Sequence, residues 1–256
     1  MTIRIAQIRI VPEKCNLEGN HEKLMSVLKS IARETVDVVV TPECFLDGYA
    51  VADGSVTDDN LREYAIDPFN SPYVDSTSIW ACANTAWVVL GCSRLSAEGV
   101  YNTALLLGRD GELVGAYDKT HCQGHDRMFV PGQEIAVFDS DFGPFGVLIC
   151  ADRRWPETVR SLALQGARVI FNPTAGMHNE KNLRMMQTRS FESEVFIAFT
   201  HPLQSLLTDP AGEIICNDNL DNVSFSLTEI DLSQVDEARA RDSSHLKARR
   251  PELYSG

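Results

Sequence analysis

Residues 146–157 read GVLICADRRWPE, and no other stretch of the chain is as informative about its fold. The apolar run from Phe145 to Ile149 predicts a buried strand that ends at Cys150. Pro156 predicts the first turn of a helix reaching about Gly166, because proline is favoured at helix starts and glycine just past helix ends. The thiol therefore lies at a strand end, where the loops of α/β proteins carry reactive groups.

Strand-like and helix-like segments alternate on both sides of this stretch, which predicts one α/β domain over residues 1–256. Apolar residues spaced by three and four positions predict a helix from Asn20 to Glu34, and the β-branched run that follows predicts a buried strand over 36–40. Asp110-Gly111 predicts a hairpin turn between two strands. The other predicted elements are strands over 1–7, 87–91, 101–108, 112–117, 168–171, 195–199, 206–207, 213–216 and 223–230, helices over 77–86 and 182–194, and a polar helix from about 235.

The composition excludes several classes of protein. A formal net charge of −13 opposes binding to nucleic acid or to an anionic membrane surface, since both require basic residues. No apolar run approaches the roughly 20 residues that span a bilayer, and the N-terminal segment lacks the basic start and apolar centre of a signal peptide. Seven cysteines, an odd number, fit a reducing compartment. We therefore expect a cytoplasmic protein with no nucleic-acid or membrane partner.

Three reactive side chains follow three predicted strands. Glu43 comes after the strand at 36–40, Lys119 just after the strand ending at Tyr117, and Cys150 at the end of its own strand. Each alone has an ordinary explanation, as a solvated charge or as a small core residue. A carboxylate, an amine and a thiol at three strand ends together predict a convergent catalytic site.

The segments around these residues resemble the three signature segments of the nitrilase superfamily. They are TPECFLDGY at 41–49, YDKTH at 117–121 and GVLICADRRWPE at 146–157, in the family's order of Glu, Lys and Cys. Supporting similarities lie at 101–104, 131–132, 172–173, 189–192, 209–212 and 249–254. The resemblance implies a four-layer α-β-β-α sandwich that assembles as a homodimer or higher homo-oligomer. It also implies hydrolysis of a non-peptide carbon–nitrogen bond in a small-molecule amide or ureido substrate, with no metal and no organic cofactor.

The chemistry explains why such a site needs these groups. Amide hydrolysis becomes easier when it is divided into two steps through a thioester. Cys150 would attack as the thiolate, which the Lys119 ammonium favours. Glu43 would act as general base and proton shuttle, with its pKa raised by burial. Lys119 and the backbone N–H of Ala151 would stabilise the oxyanion.

One departure from the family concerns the residues after Lys119. Relatives usually carry a second glutamate there, and this chain has none; Asp126 or His125 could take its place. His121, Cys122 and His125 are also spaced like metal ligands. A structural zinc site needs a fourth ligand, and the sequence offers none nearby, so we predict no metal.

The residues after the nucleophile bear on the substrate. A nitrilase acting on nitriles has Trp-Glu after the cysteine, whereas Ala-Asp follows here, which is similar to amidases and above all to the N-carbamoyl-D-amino-acid amidohydrolases. That resemblance implies that Arg153, Arg154 and His121 help to hold a substrate carboxylate, which a guanidinium grips in a bidentate manner. We assign Arg153 the more specific role; the alternative is that one arginine pairs with Glu157 as framework. We also expect the segment from Asn172 to Gly176, which follows the next predicted strand, to line the pocket.

Three functions remain as alternatives. The first prediction is an amidohydrolase of linear amides or N-carbamoyl compounds that releases ammonia, and the second is a general aliphatic amidase or ω-amidase. A third is a catalytically weak family member that acts as a binding or scaffold protein. A papain-like protease would require a histidine base paired with Cys150, and the surrounding sequence does not fit one.

Overall fold

The computed structural model describes residues 1–219 and 223–254 and has twelve strands and five α-helices within them. In chain order the strands are β1 (Thr2–Ile8), β2 (Val38–Val40), β3 (Trp87–Leu95), β4 (Val100–Leu107), β5 (Leu113–Asp118), β6 (Val137–Phe138), β7 (Phe145–Val147), β8 (Val169–Pro173), β9 (Phe196–His201), β10 (Gln204–Thr208), β11 (Ile214–Asp218) and β12 (Phe225–Asp231). The helices are α1 (Leu17–Ile31), α2 (Pro72–Asn84), α3 (Pro156–Leu164), α4 (Glu180–Ser193) and α5 (Ser233–Ala240).

The strands form two six-stranded sheets. The first has the order β12-β1-β2-β3-β4-β5 and the second the order β11-β10-β9-β8-β7-β6. Each has three parallel strands at its centre, β1, β2 and β3 in the first and β7, β8 and β9 in the second. Glu43 lies in the loop after the carboxyl end of β2, and Cys150 lies just beyond the carboxyl end of β7, where α/β sheets carry their ligand-binding loops.

Alternation along β2 shows how the layers pack. Val38 and Val40 belong to the apolar core that contains Phe171 of the second sheet. Val39, between them, belongs to the core that contains Leu28 of α1. Successive side chains of a strand point to opposite faces, so the first sheet is covered by the second sheet on one face and by helices on the other. The second sheet carries α3 and α4 against its outer face, which confirms the predicted α-β-β-α sandwich.

Glycine permits the close approach of α3 to the second sheet. A Cβ on Gly146 would lie 2.7 Å from Cδ1 of Leu162 on α3. The helix therefore packs directly over β7, and its N-terminal end lies close to the nucleophile segment. Pro156 begins α3 as predicted, and Gly166 follows its end with a φ of +102°.

Some predicted boundaries were wrong for identifiable reasons. Helix α1 begins earlier than Asn20, because Asn16 caps it by accepting a hydrogen bond from the Gly19 N–H at 2.9 Å. Helix α2 begins at Pro72 rather than at Thr77, with proline in its first turn. The short strand β6 was not predicted at all. In the part of the chain that is described, no helix combines the length and the apolarity needed to cross a bilayer.

Candidate active site

Cys150 lies at a sharp turn between β7 and α3. Its φ of +45° falls in the left-handed region, which residues with a side chain adopt rarely. Strand β7 stops at Val147 instead of reaching Ile149 as predicted, because the Ile149 N–H donates to Oδ2 of Asp152 at 3.0 Å. Residues Cys150–Arg154 then form a 3₁₀ turn. Backbone strain of this kind is concentrated at active sites.

Glu43 follows β2 and is buried, with 1% of its surface exposed. Its Oε1 accepts hydrogen bonds from Lys119 Nζ at 2.7 Å and from Asn102 Nδ2 at 2.9 Å. Its Oε2 accepts one from the backbone N–H of Ala175 at 2.9 Å. Because a carboxylate oxygen has two lone pairs, Oε1 is fully engaged, whereas Oε2 keeps one acceptor position free.

Lys119 is held between two carboxylates. Its Nζ lies 2.7 Å from Oε1 of Glu43 and 2.6 Å from Oδ2 of Asp126, and all three side chains are almost fully buried. Burial opposes the charged ammonium, but the negative charges of the neighbouring carboxylates, Glu43 and Asp126, outweigh it and raise the pKa of Lys119. Lys119 therefore stays positively charged near neutral pH. It donates hydrogen bonds but does not transfer its proton.

Glu43 and Lys119 both affect the pKa of the Cys150 thiol. Burial raises its pKa above the ordinary value, as does the charge of Glu43, while the charges of Lys119 and Arg153 lower it. A thiol whose pKa is raised needs a nearby base to form the thiolate, which is the role expected of Glu43. A Cβ on Gly176 would lie 3.0 Å from Cys150 Sγ.

The loop between β8 and α4 contacts the base and the nucleophile together. Ala175 donates its N–H to Glu43, and the next residue, Gly176, lies against the Cys150 sulfur. His201, at the end of β9, is hydrogen-bonded through Nε2 to the Ala175 carbonyl at 3.2 Å. The structure therefore brings the three predicted residues into one site, and this loop joins them.

Asp152 links the turn that contains Cys150 to the end of β5 and the residues after it by hydrogen bonds. Its Oδ1 accepts from the His121 N–H at 2.9 Å and its Oδ2 accepts from Tyr117 Oη at 2.8 Å. The His121 ring lies 2.9 Å from the same carboxylate through Nδ1 and stacks on Trp155 with ring centroids 4.1 Å apart. Since 31% of the His121 side chain is exposed, it forms part of the rim of the site.

The structure answers the question of the missing second glutamate. Asp126 lies in the 3₁₀ helix Gly124–Met128 and contacts Lys119, whereas His125, one residue earlier, is exposed. Tyr49 donates its hydroxyl to Oδ1 of Asp126 at 2.6 Å and holds it toward the lysine. Asp126 therefore takes the place of the second carboxylate beside Lys119, whereas no hydrogen bond or ion pair joins His125 to Lys119 among the described residues.

Two other predicted substrate contacts have framework roles. Asn172 is fully buried and donates from Nδ2 to the Leu148 carbonyl at 2.8 Å, so it supports the nucleophile turn from β8. Arg154 is exposed and donates from Nη1 to Gln123 Oε1 at 2.8 Å. Among the described residues, neither Arg153 nor Arg154 forms an ion pair with Glu157. Ala151, directly after the nucleophile, is buried at the start of the 3₁₀ turn, where N–H groups have no partner within the helix.

Arg153, the residue predicted to hold a substrate carboxylate, is buried and hydrogen-bonded within the protein. Only 1% of its surface is exposed. Its Nε donates to Asn182 Oδ1 at 2.7 Å, its Nη2 donates to the Met177 carbonyl at 2.7 Å, and its Nη1 donates to the Cys150 carbonyl. Three of its N–H groups are therefore engaged by the protein itself rather than left for a substrate carboxylate.

Sequence reasoning assigned no role to three contributors: Tyr49, Asn102 and Asp152. Tyr49 and Asp152 stand inside the motifs that contain Glu43 and Cys150, but nothing in their residue type indicates which atom they contact. Among the residues that the structure covers, no group of three or more His, Cys, Asp or Glu side chains is arranged to hold a metal ion.

Comparison with known proteins identifies the family of the chain. The carbon–nitrogen hydrolase family profile matches residues 2–240. A protein of Pyrococcus abyssi described as a nitrilase is 27% identical over 98% of this chain and 99% of its own length. An omega-amidase of Saccharomyces cerevisiae is 24% identical over 83% of this chain and 82% of its own length.

Solved structures show the same fold. The crystal structure of Saccharomyces cerevisiae Nit3, described as a member of branch 10 of the nitrilase superfamily, superposes with a TM-score of 0.84 at 22% identity, over 99% of this chain and 97% of that one. An amidase of Nesterenkonia superposes with a TM-score of 0.77 at 21% identity, over 98% of this chain and 94% of that one. The arrangement of two sheets between helices is common to all three.

Proposed function

The chain belongs to the carbon–nitrogen hydrolase family and is an enzyme of that class, and on that premise we propose that it hydrolyses a linear amide through an acyl-enzyme on Cys150. Glu43 is the general base and Lys119 the electrostatic partner. The observation that supports this most is the buried ion pair of Glu43 and Lys119, at 2.7 Å, in a site that also holds a thiol at a strained turn. A permanent cation, a carboxylate with a free lone pair and a protonated thiol are the groups that such a reaction requires.

The proton path follows from the two oxygens of Glu43. Oε1 is engaged by Lys119 and Asn102, so Oε2 is the atom that takes the proton from the Cys150 thiol. The sulfur then forms a bond to the amide carbon, and the carbon–nitrogen bond breaks as Glu43 returns the proton to the departing ammonia or amine. Water, deprotonated by the same carboxylate, cleaves the thioester and releases the carboxylic acid and the free thiol.

The oxyanion of each tetrahedral intermediate needs fixed donors. We assign this role to Lys119 Nζ, held in place by Asp126, and to the backbone N–H of Ala151. A single donor of this kind contributes on the order of 3 kcal/mol to the barrier. Because both carboxylates keep Lys119 charged, its contribution does not depend on pH near neutrality.

Amides are favoured over N-carbamoyl amino acids as the substrate class. The resemblance to N-carbamoyl amidohydrolases implied that Arg153 and Arg154 hold a substrate carboxylate, but three of the five N–H donors of Arg153 bond to the protein itself. Similar proteins also support an amide substrate. Two that are described as omega-amidases and one described as an (R)-stereoselective amidase match most of this chain. An N-carbamoyl substrate stays as the second candidate because Ala151 and Asp152 follow the cysteine.

A substrate panel with a matched pair of cysteine variants tests this function. Cys150→Ala should abolish ammonia release while the far-UV circular dichroism is unchanged, whereas Cys82→Ala, at an exposed position of α2, should keep full activity. Ureido acids would release carbon dioxide as well as ammonia, and simple amides would release ammonia alone. Intact-mass detection of an acyl adduct on Cys150 would exclude a pure binding role; substantial activity in Cys150→Ala would refute the mechanism.

A further inference from the structure

Arg153 is a buried charge that has no ion-pair partner among residues 1–219 and 223–254. Its side chain is among the largest that are fully buried, and the ion pairs of the described residues include none to Arg153. A guanidinium stays protonated at any pH of interest, and an unpaired buried charge is costly. A negative charge that forms beside Arg153 during the reaction would therefore be stabilised by it.

The three hydrogen bonds of Arg153 converge on the nucleophile. The Cys150 carbonyl belongs to the strained nucleophile residue itself. The Met177 carbonyl belongs to the loop whose Gly176 lies against the sulfur. Asn182 lies on α4, which supports that loop from its C-terminal side. All three acceptors are neutral, so they fix the position of the guanidinium without neutralising it.

We propose that Arg153 is a positioning residue for the nucleophile: it locks the Cys150 turn to the 174–179 loop and provides the cation beside which the Cys150 thiolate forms. The proton itself leaves the thiol for Glu43 Oε2, and no other bond changes in this step. The thiolate is the anion that the guanidinium lacks in the resting protein. In agreement with this geometry, the charge and hydrogen bonding of Arg153 both lower the pKa of the Cys150 thiol, against the effects of burial and of Glu43.

This role differs from substrate binding in a measurable way. An arginine that grips a substrate carboxylate affects the KM of carboxylate-bearing amides and leaves neutral amides unchanged. An arginine that supports the thiolate affects kcat for every substrate, and it also affects a reaction of the thiol with no substrate present. The role in turnover rests on the proposed function, whereas the reaction of the thiol alone does not.

The test is the rate at which iodoacetamide alkylates Cys150 between pH 6 and pH 11, followed by peptide mass analysis. Arg153→Met should move the midpoint of this profile upward by about one pH unit or more, which is about a tenfold slower reaction at pH 7. Arg153→Lys retains a cation and should recover most of that loss. Arg160→Met, which removes a half-buried arginine of α3 outside the site, should leave the profile unchanged.

Steady-state kinetics on one neutral and one carboxylate-bearing amide complete the experiment. Arg153→Lys should lower kcat for both to a similar extent, because lysine keeps the charge but cannot bond three acceptors. A folded Arg153→Met with the wild-type alkylation profile would overturn the proposal, and so would a KM increase confined to the carboxylate-bearing amide. If Arg153→Met does not fold, Arg153→Lys decides through the same kcat and KM comparison. A shifted profile together with an active Cys150→Ala would refute the proposed function alone.

Discussion

Oδ2 of Asp126 lies 2.6 Å from Nζ of Lys119, within the ion-pair network that also contains Glu43. Breaking a buried pair by removing one charge costs about 3 kcal/mol or more, equivalent to about a hundredfold in rate if it falls on the transition state. Asp126→Asn should therefore lower kcat about a hundredfold, measured by ammonia release. Asp126→Glu, which keeps the charge, should retain more activity than Asp126→Asn.

Asp58→Asn is the matched control for that change, since it removes an exposed carboxylate. It should leave kcat at the wild-type value. Equal activity of Asp126→Asn and Asp58→Asn would show that Asp126 does not support the lysine.

Gly176 controls the space around the nucleophile. An added Cβ would lie 3.0 Å from Cys150 Sγ, so the sulfur would have to move by a few tenths of an ångström. Small displacements of reacting groups are costly in rate, and Gly176→Ala should lower kcat by at least about tenfold with little change in the melting temperature. Gly54→Ala is the control, because a Cβ there meets nothing within 4 Å. Wild-type kinetics in Gly176→Ala would contradict the contact.

The positions of Glu43, Lys119 and Cys150 at the ends of strands could be predicted from the sequence. Glu43 and Cys150 follow central parallel strands of separate sheets, and the apolar runs before them are visible in the sequence. Lys119 follows the edge strand β5 of the first sheet. The identification of these three as partners came from the resemblance to a family, since no periodicity relates positions so far apart.

The contacts made by individual atoms could not be predicted in this way. Ala175 reaches Glu43 through its backbone N–H across 132 positions of sequence, and a backbone group has no residue type to indicate it. Arg153 appeared suited to a substrate carboxylate because its chemistry fits one, yet its donors point to carbonyls and an amide of the protein. The choice between His125 and Asp126 depended on the register of a 3₁₀ helix that the sequence did not reveal.

His201 predicts an acid-sensitive stability. Burial lowers its pKa to about 4, helped by the charge of His178, whereas an unfolded histidine titrates near its ordinary value of about 6.5. The unfolded state thus binds more protons between these values, so the stabilisation by neutral His201 is present above about 6.5 and is lost as pH falls toward 4. At pH 5 the loss amounts to about 2 kcal/mol.

The variant His201→Gln isolates this effect, because its amide can still donate to Ala175 but does not titrate. Urea unfolding at pH 7.5 and pH 5 should show the stability of His201→Gln falling less than that of the wild type by about 2 kcal/mol. His125→Gln, at an exposed position, should follow the wild type. Parallel losses in the wild type and His201→Gln would mean that His201 is not held neutral.

Tyr49 should act on the rate through Asp126. Its hydroxyl donates to Asp126 Oδ1 at 2.6 Å, and its backbone has a left-handed conformation with φ of +59°. A hydrogen bond to a charged group contributes about 1.5 to 3 kcal/mol, so Tyr49→Phe should lower kcat by about tenfold. Because the tyrosine works only by orienting the carboxylate, the double variant Tyr49→Phe/Asp126→Asn should be hardly slower than Asp126→Asn alone. Tyr73→Phe, on α2, should be unchanged; additive losses in the double variant would assign Tyr49 an independent role in the site.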